Sequence, residues 1–524
     1  MKKGLFIIAS ALFSIAAQAQ VGNNDALNIF QNPYVSSATL FSQTFYEGTA
    51  RTAAMGNAFT ALGGDIGALS LNPASSGIYK YSEFSISPSL NLTGGKTNYL
   101  SEINNEFMAK PGVSSLGYVG TFNTYKRNKK NNSFNIAFAI NKVNNFNSRM
   151  YATGTTNQSS WLGAAASAAQ GFLSTQLDIT SSSDTYPFNV NGLPWRSVLA
   201  WNTNLLDLLP DSNKDYIGAT ENINGSNIVI GGNLDQQFVR ETTGNQSEII
   251  INMGGSVGNK LFLGANIGIQ SLSYTDYQKY TESTTNSSLF QTDFSSFTHI
   301  YNQHTSGVGV NAKLGLIYIP VKNLRLGATF TTPTIMTITD EWEEKITSNF
   351  GDGYSQTVLS PIGEFSYNLI SPVKVGAGVA YVFGTSAILS ADFEGVAYNW
   401  TRLSSEDNIS GEFSTENNIM SNDLRFAKNF RLGLEVKPVS NFALRAGYAF
   451  YQNPNAASEI HNHIISAGAG FNNKKGFFGD FAVQHKVKAA DSLKLYADYQ
   501  GIESPEGTFT SSGLRVLMTF GFRF

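Results

Sequence analysis

The feature that most constrains this chain is an apolar–polar alternation of period two that recurs from about residue 82 to the end. Between 441 and 451, Phe442, Leu444, Ala446, Tyr448 and Phe450 share one face, and Ala443, Arg445, Gly447 and Ala449 the other. Phe430, Leu432, Leu434 and Val436 oppose Arg431, Gly433, Glu435 and Lys437 in the same way, and Val308 to Tyr318 carries the pattern further. The stretches 261–269, 324–330, 373–381 and 387–393 behave alike. Successive strand side chains point to opposite faces, so each segment reads as a strand with one apolar face and one face of Gly and charge.

A half-buried strand of a soluble sandwich gives the same alternation. Three features tell against that reading. Several segments run to ten residues or more, longer than the usual ~5–6 of globular strands and close to the ~9–11 of a tilted membrane strand. Tight turns at 258–260, 320–323, 383–386, 438–441 and 472–476 alternate with polar excursions near 276–303, 339–361, 401–426, 452–461 and 501–511. Short turns on one side and long loops on the other are the rhythm of an outer-membrane barrel. The chain also ends on Leu514, Val516, Met518, Phe520, Phe522 and Phe524, alternating with Arg515, Thr519, Gly521 and Arg523. A last strand closing on a terminal Phe resembles the assembly signal of outer-membrane barrels, which makes Phe524 the expected contact with the barrel-assembly machinery.

Strand starts fall near 82, 113, 132, 245, 260, 304, 323, 362, 386, 427, 441, 462, 476 and 511. The expected fold is therefore an all-β transmembrane barrel of fourteen antiparallel strands, with 476–500 read as one long strand projecting beyond the bilayer. An even number places both chain ends on the periplasmic side. Composition agrees. Charged residues are 14% of the chain against an ordinary ~25%, while Gly numbers 49, Phe 37 and Tyr 23. Aromatic content of 12% excludes a disordered chain. The lack of Cys excludes disulfides, thiol catalysis and Cys-bound metals. A formal net charge of −3 offers nucleic acid no basic surface.

The opening MKKGLFIIASALFSIAAQAQ has a basic start, a short apolar run and Ala17-Gln18-Ala19 before Gln20. It reads as a signal peptide over 1–19, its apolar run being shorter than the ~20 residues of a spanning helix. Export to the outer membrane of a Gram-negative bacterium, among outer-membrane lipid, is the expectation. Residues 20–80 lack the alternation. Within them, residues 51–61 (RTAAMGNAFTA), then Asp65, Ala68 and Asn72-Pro73-Ala74, resemble the FadL/TodX-type outer-membrane transporters of hydrophobic compounds, and so do residues 371–376 and 431–434. The resemblance implies an N-terminal hatch folded into the barrel over 20–80, with Asn72, Pro73 and Ala74 inside the lumen. A simple turn at Asn-Pro is compatible with that placement. A barrel of this size leaves a lumen to be filled, and Lys313, Arg325, Asp392, Glu435, Arg445 and Arg515 fall on the inward face, where they can hydrogen-bond a polar plug.

The barrel domain, 81–524, carries a long outer loop read over 147–245. One apolar cluster runs from Trp161 and Leu162 through an Ala-rich stretch to Phe172 and Leu173; a second holds Trp195, Trp201, Leu205 and Leu206. The Ala-rich stretch suits a helix. The clusters can pack on each other as a cap, or form a groove that captures an apolar ligand, since exposed apolar surface on a loop marks a binding site. Both can hold together, and these eight residues are the candidate capture residues.

No catalytic constellation is present. The five His are scattered, and His461 and His463 share a strand face without a third ligand type. The acidic run at 340–344 reads as a solvated loop tip, and no phosphate-binding loop, nucleotide fingerprint or HExxH occurs. No enzyme activity, cofactor or metal is expected. The resemblance points to a monomeric channel for passive uptake of hydrophobic small molecules such as long-chain fatty acids, captured by the outer loop and released by a hatch shift or a gap in the wall. The alternative is a receptor or adhesin whose loop binds haem, a glycan or a protein without transport.

Overall fold

The computed structural model describes residues 26–27, 33–124, 132–180, 186–225, 227–406, 411–473, 475–487 and 490–524. The expected signal peptide lies outside the described residues. Fourteen antiparallel strands follow one another around a closed wall. They are β1 (Glu83–Tyr99), β2 (Glu102–Thr124), β3 (Asn132–Asn145 continued by Ser148–Thr156), β4 (Leu234–Val257), β5 (Leu261–Ser283), β6 (Phe294–Val321) and β7 (Leu324–Thr331 continued by Ile335–Phe350). After them come β8 (Ser355–Leu359, Gly363–Ile370 and Lys374–Phe383), β9 (Ala387–Ala397 with Arg402–Ser405), β10 (Phe426–Val439), β11 (Phe442–Tyr451), β12 (Asn462–Asn472), β13 (Phe477–Val487 continued by Asp491–Lys494) and β14 (Glu506–Arg523). Closure comes from β1 pairing with β14, from Glu83 opposite Arg523 to Asn98 opposite Thr508. A closed wall leaves no long free edge to pair with another chain.

The alternation sorts the side chains inside out. On β6, Val308 and Leu314 are 61% and 60% exposed on the outer face, while Asn311 and Lys313 are each 4% exposed on the inner one. A water-soluble protein would reverse that order; an apolar belt against lipid requires it. Tyr81, Phe84, Tyr118, Phe122, Phe383 and Phe522 are exposed near the end with the tight turns, as in the aromatic girdle of a membrane barrel.

Beyond the belt the wall continues as a polar collar. On β5 the outward positions change from Leu263 and Ile267 to Ser271 and Ser273, all exposed. The strand β6 alone has 28 residues, about 90 Å of strand against an apolar belt of about 25 Å. The excursions expected at 276–303 and 339–361 are therefore mostly strand, with connections only at 284–293 and 351–354. The second strand begins at Glu102, well before 113, and the long loop expected over 147–245 shrinks to 157–233. The acidic run at 340–344 is no loop tip: it lies within β7, where Asp340 is buried against Thr305 and Gln303. Collar strands face water outside and the cap or N-terminal chain inside, so polar residues occupy both faces and the alternation fades.

The N-terminal chain descends through the lumen. Helix α1 (Pro33–Ser42) packs Phe41 on Phe146 and Tyr274, and Tyr34 on Phe365, Tyr367 and Phe413. Below it the hatch forms the short helix α2 (Ala50–Ala54) and two tight turns of 3₁₀ helix, Gly67–Ser70 and Pro73–Ile78. Over the other end, the described residues of 157–233 fold into a cap with α3 (Trp161–Ala169), α4 (Ser174–Leu177) and α5 (Trp195–Asn202); α6 (Ser414–Asp423) follows β9.

Candidate functional site

The hatch has little regular structure, so its buried carbonyls need partners from elsewhere. The wall supplies them. Asn141 donates to Ile66 O at 3.2 Å, Asn252 to Pro73 O at 2.9 Å, Asn266 to Leu69 O at 2.7 Å and Gln484 to Ala53 O at 3.0 Å. Asn135 donates to Ser76 O, Lys313 to Ser70 O at 3.0 Å and Arg325 to Leu62 O at 2.8 Å. The Asp392 carboxylate accepts from Thr60 N at 2.8 Å, Glu435 pairs with Arg51 at 3.2 Å, and Arg515 pairs with Glu47 at 2.9 Å. Of the inward residues expected to hold a plug, only Arg445 acts at one remove, through Glu435 at 2.7 Å. Glycines let the backbones meet. A β-carbon at Gly433 would lie 2.6 Å from Met55 O, and one at Gly264 or Gly327 would collide with Pro73 O or Thr60 O.

Inside the hatch, Asp65 accepts from the Thr49 hydroxyl at 2.7 Å and from Gly67 N at 2.9 Å. Burial pushes its carboxyl above the usual carboxylate range, against the pull of Arg51 and of the Thr49 hydroxyl. Burial alone would lower Arg51, but Glu435 and Asp65 beside it raise the guanidinium above its ordinary value.

Asn72, Pro73 and Ala74 lie buried in the lumen. The Asn72 amide nitrogen donates to Thr60 O at 2.7 Å, Leu316 O at 3.1 Å and Ala328 O at 3.4 Å, and its oxygen accepts from Ala74 N at 3.0 Å. The residue thus starts a turn and also ties hatch to wall. Asn72→Asp should set a carboxylate against three carbonyls and lower the thermal stability of the hatch by about 3 kcal/mol, the scale of an uncompensated buried charge. Asn72→Ala should cost less. The check is the heating midpoint of gel mobility for each variant; equal midpoints for wild type and Asn72→Asp would rule out the tie.

Among the described residues the wall parts between β2 and β3. The ladder between β2 and β3 runs from Thr124 opposite Asn132 to Ser115 opposite Asn141 and stops. Above it β2 stays with β1, while β3 bends at Phe146-Asn147 and follows β4. The upper part of β3 reaches β1, with Thr93 donating to Asn147 O at 3.3 Å and Thr97 to Tyr151 O. Hatch backbone takes up part of the abandoned edge of β3: Phe45 N donates to Val143 O at 2.7 Å and Glu47 N to Lys142 O at 3.1 Å. The Glu47 carboxylate accepts from Ser114 of β2 at 2.8 Å, so one buried acid bridges both sides of the parting.

Beside the bend is a cavity of about 390 Å³. Leu40, Phe45, Phe146, Met150 and Phe509 give it apolar walls, and Asn91, Asn144, Asn145, Asn147, Asn462 and Gln484 give it amides. Nothing in the sequence brought these residues together, because they come from the hatch and from strands far apart in the chain.

No family model matches the chain, and no curated protein matches it by sequence. Solved structures do match. A Pseudomonas aeruginosa FadL homologue aligns with a TM-score of 0.50 at 14% identity over 92% of this chain and 99% of that one. The fold is that of a FadL-type barrel. The toluene transporters TodX of P. putida and TbuX of Ralstonia pickettii also align, at 13% and 14% identity, 91% of this chain, 98% and 99% of theirs, and TM-scores of 0.49 and 0.47.

On this FadL-type barrel the eight candidate capture residues fall into two groups. Trp161, Leu162, Leu205 and Leu206 are buried in the cap, Trp161 among the rings of Tyr280, Phe297 and His299. Phe172, Trp195 and Trp201 are half-buried, and Leu173 is exposed. Trp195 donates to Phe188 O at 2.8 Å and packs on Trp342 of the collar. Tyr216 donates to Phe172 O at 2.8 Å, and burial pushes its phenol up to about 12. The structure thus packs the two apolar clusters into one cap core, leaving Phe172, Leu173, Trp195 and Trp201 as its accessible apolar surface. His461 and His463 both rest on Phe450; the Tyr448 hydroxyl lies 2.8 Å from His463 Nδ1, and Asn453 N donates to His461 Nδ1 at 3.3 Å.

Proposed function

We propose that this barrel sits in the outer membrane and passes hydrophobic small molecules inward down their own gradient, long-chain fatty acids being one class within reach. The observation that carries the reading is a half-apolar cavity set between a clamped hatch and a parted wall. A ligand in that cavity has two ways on. Moving the hatch breaks many bonds to the wall at once, each net worth about 1 kcal/mol and more where charge is involved. Leaving through the parting needs segment 43–47 to give up its contacts with β3 and the Glu47 bonds to Ser114 and Arg515, fewer than those that hold the whole hatch, so release through the wall is the cheaper route. The alignment with a FadL homologue agrees with this reading.

Capture on the cap, by Phe172, Leu173, Trp195 and Trp201, belongs to the same proposal, as do export by a signal peptide over 1–19 and assembly through Phe524. Phe524 is 62% exposed while its backbone pairs with Ser82. The test is uptake of a labelled fatty acid and of labelled toluene by cells with wild type, with no barrel, or with a barrel lacking 160–210. Wild type should exceed the empty strain for at least one ligand, and the deletion should lose most of that gain. Uptake equal to the empty strain, with ligand still bound at the surface, would favour the receptor instead; uptake unchanged by the deletion would sink capture on the cap.

A further inference from the structure

Resting on that uptake reading, and narrowing it away from the fatty-acid class, we propose that the lumenal cavity selects a neutral amphiphile whose head donates a hydrogen bond, an alcohol or a phenol, over a carboxylate. The cations are the first ground. Arg240, Arg515 and Lys486 line the cavity, and each is already engaged. Arg240 grips Asp276 with Nε at 3.0 Å and Nη2 at 2.7 Å. Arg515 holds Glu47 at 2.9 Å, Asn91 at 2.8 Å and Gln484 at 3.1 Å. The Lys486 ammonium lies 3.8 Å from the centre of the Phe45 ring. A further acid, Asp491, lines the same space. Three cations thus stand with Asp276, Glu47 and Asp491, so the site is electrically balanced as it is. An incoming carboxylate would have to displace an acid from its arginine or remain without compensation in a partly desolvated site, and both are costly.

The second ground is a polar group left over. Asn462 on β12 lines the cavity, is 9% exposed, and its side-chain oxygen has no hydrogen-bond partner among the described residues. Tyr451, directly opposite on β11, is 4% exposed and likewise buries a hydroxyl without a partner there. A buried acceptor with no donor is a standing cost that a ligand O–H removes. The rest of the wall suits the body of such a molecule, with Leu40, Phe45, Phe146 and Met150 forming an apolar side. A volume of about 390 Å³ lies within the ~300–1,000 Å³ of small-molecule sites.

Three probes with one body and different heads test this: 1-naphthol, 1-naphthoate and naphthalene, measured at pH 7 by equilibrium dialysis against the full-length barrel in lipid nanodiscs, with empty nanodiscs subtracted. Naphthol should bind about tenfold tighter than either of the others, the scale of one good hydrogen bond. In Asn462→Leu, naphthol should fall to the level of naphthalene, with naphthalene itself unchanged. Naphthoate binding as tightly as naphthol would overturn the proposal, and so would naphthol binding unaltered in a folded Asn462→Leu protein. If that variant does not fold, the wild-type ranking decides alone. Naphthalene bound as tightly as naphthol would sink the head-group proposal and leave the uptake reading standing. None of the three bound, together with toluene and fatty-acid uptake equal to the empty strain, would sink both.

Discussion

A barrel lacking residues 33–80 is expected to conduct ions as an open pore, with a single-channel conductance at least about tenfold above that of the intact protein. Eight-stranded walls fill themselves with side chains and walls of ~16–18 strands leave a water channel; a wall of fourteen lies near the second limit. What closes it here is the hatch, held by wall donors such as Asn252, Asn266, Lys313 and Arg325 and by the acid Asp392. Without the hatch these groups would face water, which satisfies them at little cost. The ladder of fourteen strands does not depend on the hatch, so the wall should still form, with a lower heating midpoint. Recordings in planar bilayers and leakage of a small polar dye from cells measure the effect. The variant Gly433→Val, whose side chain would press on Met55 O, provides a milder version should the deletion fail to assemble. Both variants as tight as wild type would refute the view of the hatch as the seal.

The strands of the belt could be read from the sequence because lipid and lumen demand opposite side chains at every second residue; 430–437 and 441–451 show this plainly, and their start points hold. The inward charges were legible for the same reason, since Lys313, Arg325, Asp392 and Arg515 sit at the polar phase of apolar strands and all touch the hatch. The collar was not legible. In β6 above Val308 the chain runs through Ser306, His304 and Asn302, polar residues at outward positions where lipid no longer selects. The cavity was hidden for another reason: Phe45, Asn144, Asn462 and Arg515 have no relation along the chain, and only the bend of β3 brings hatch, β12 and β14 around one space. That bend has no Pro or Gly at Phe146-Asn147 to announce it.

Glu282→Ala should release the cap from the collar. The Glu282 carboxylate, wholly buried, accepts from the Ser160 hydroxyl at 2.6 Å, the Gln236 amide at 2.7 Å, the Tyr280 hydroxyl at 2.8 Å and Trp161 N at 3.2 Å. Ser160 caps α3 and accepts from Thr220, while Gln236 accepts from Tyr99. One acid on β5 therefore anchors the first helix of the cap and both flanks of the loop. Its removal leaves the Ser160, Tyr280 and Trp161 donors without an acceptor, each costing about 1–3 kcal/mol if it stays buried, while the Gln236 amide keeps the Tyr496 hydroxyl at 2.9 Å. The backbone ladders on both sides of β5 do not involve the carboxylate, so the cap should give way before the barrel does. Protease cleavage confined to 157–233, with the barrel core intact on gels, is the expected result, together with a shift of Trp fluorescence as Trp161 leaves its ring cluster. Glu282→Gln keeps one acceptor oxygen and should fall between the two. If the cap of Glu282→Ala resists protease as wild type does, apolar packing alone holds it. If it opens and uptake falls with it, the docked cap is the form that feeds the cavity; if it opens and uptake rises, the cap restrains access, and capture by its surface residues would have to be abandoned.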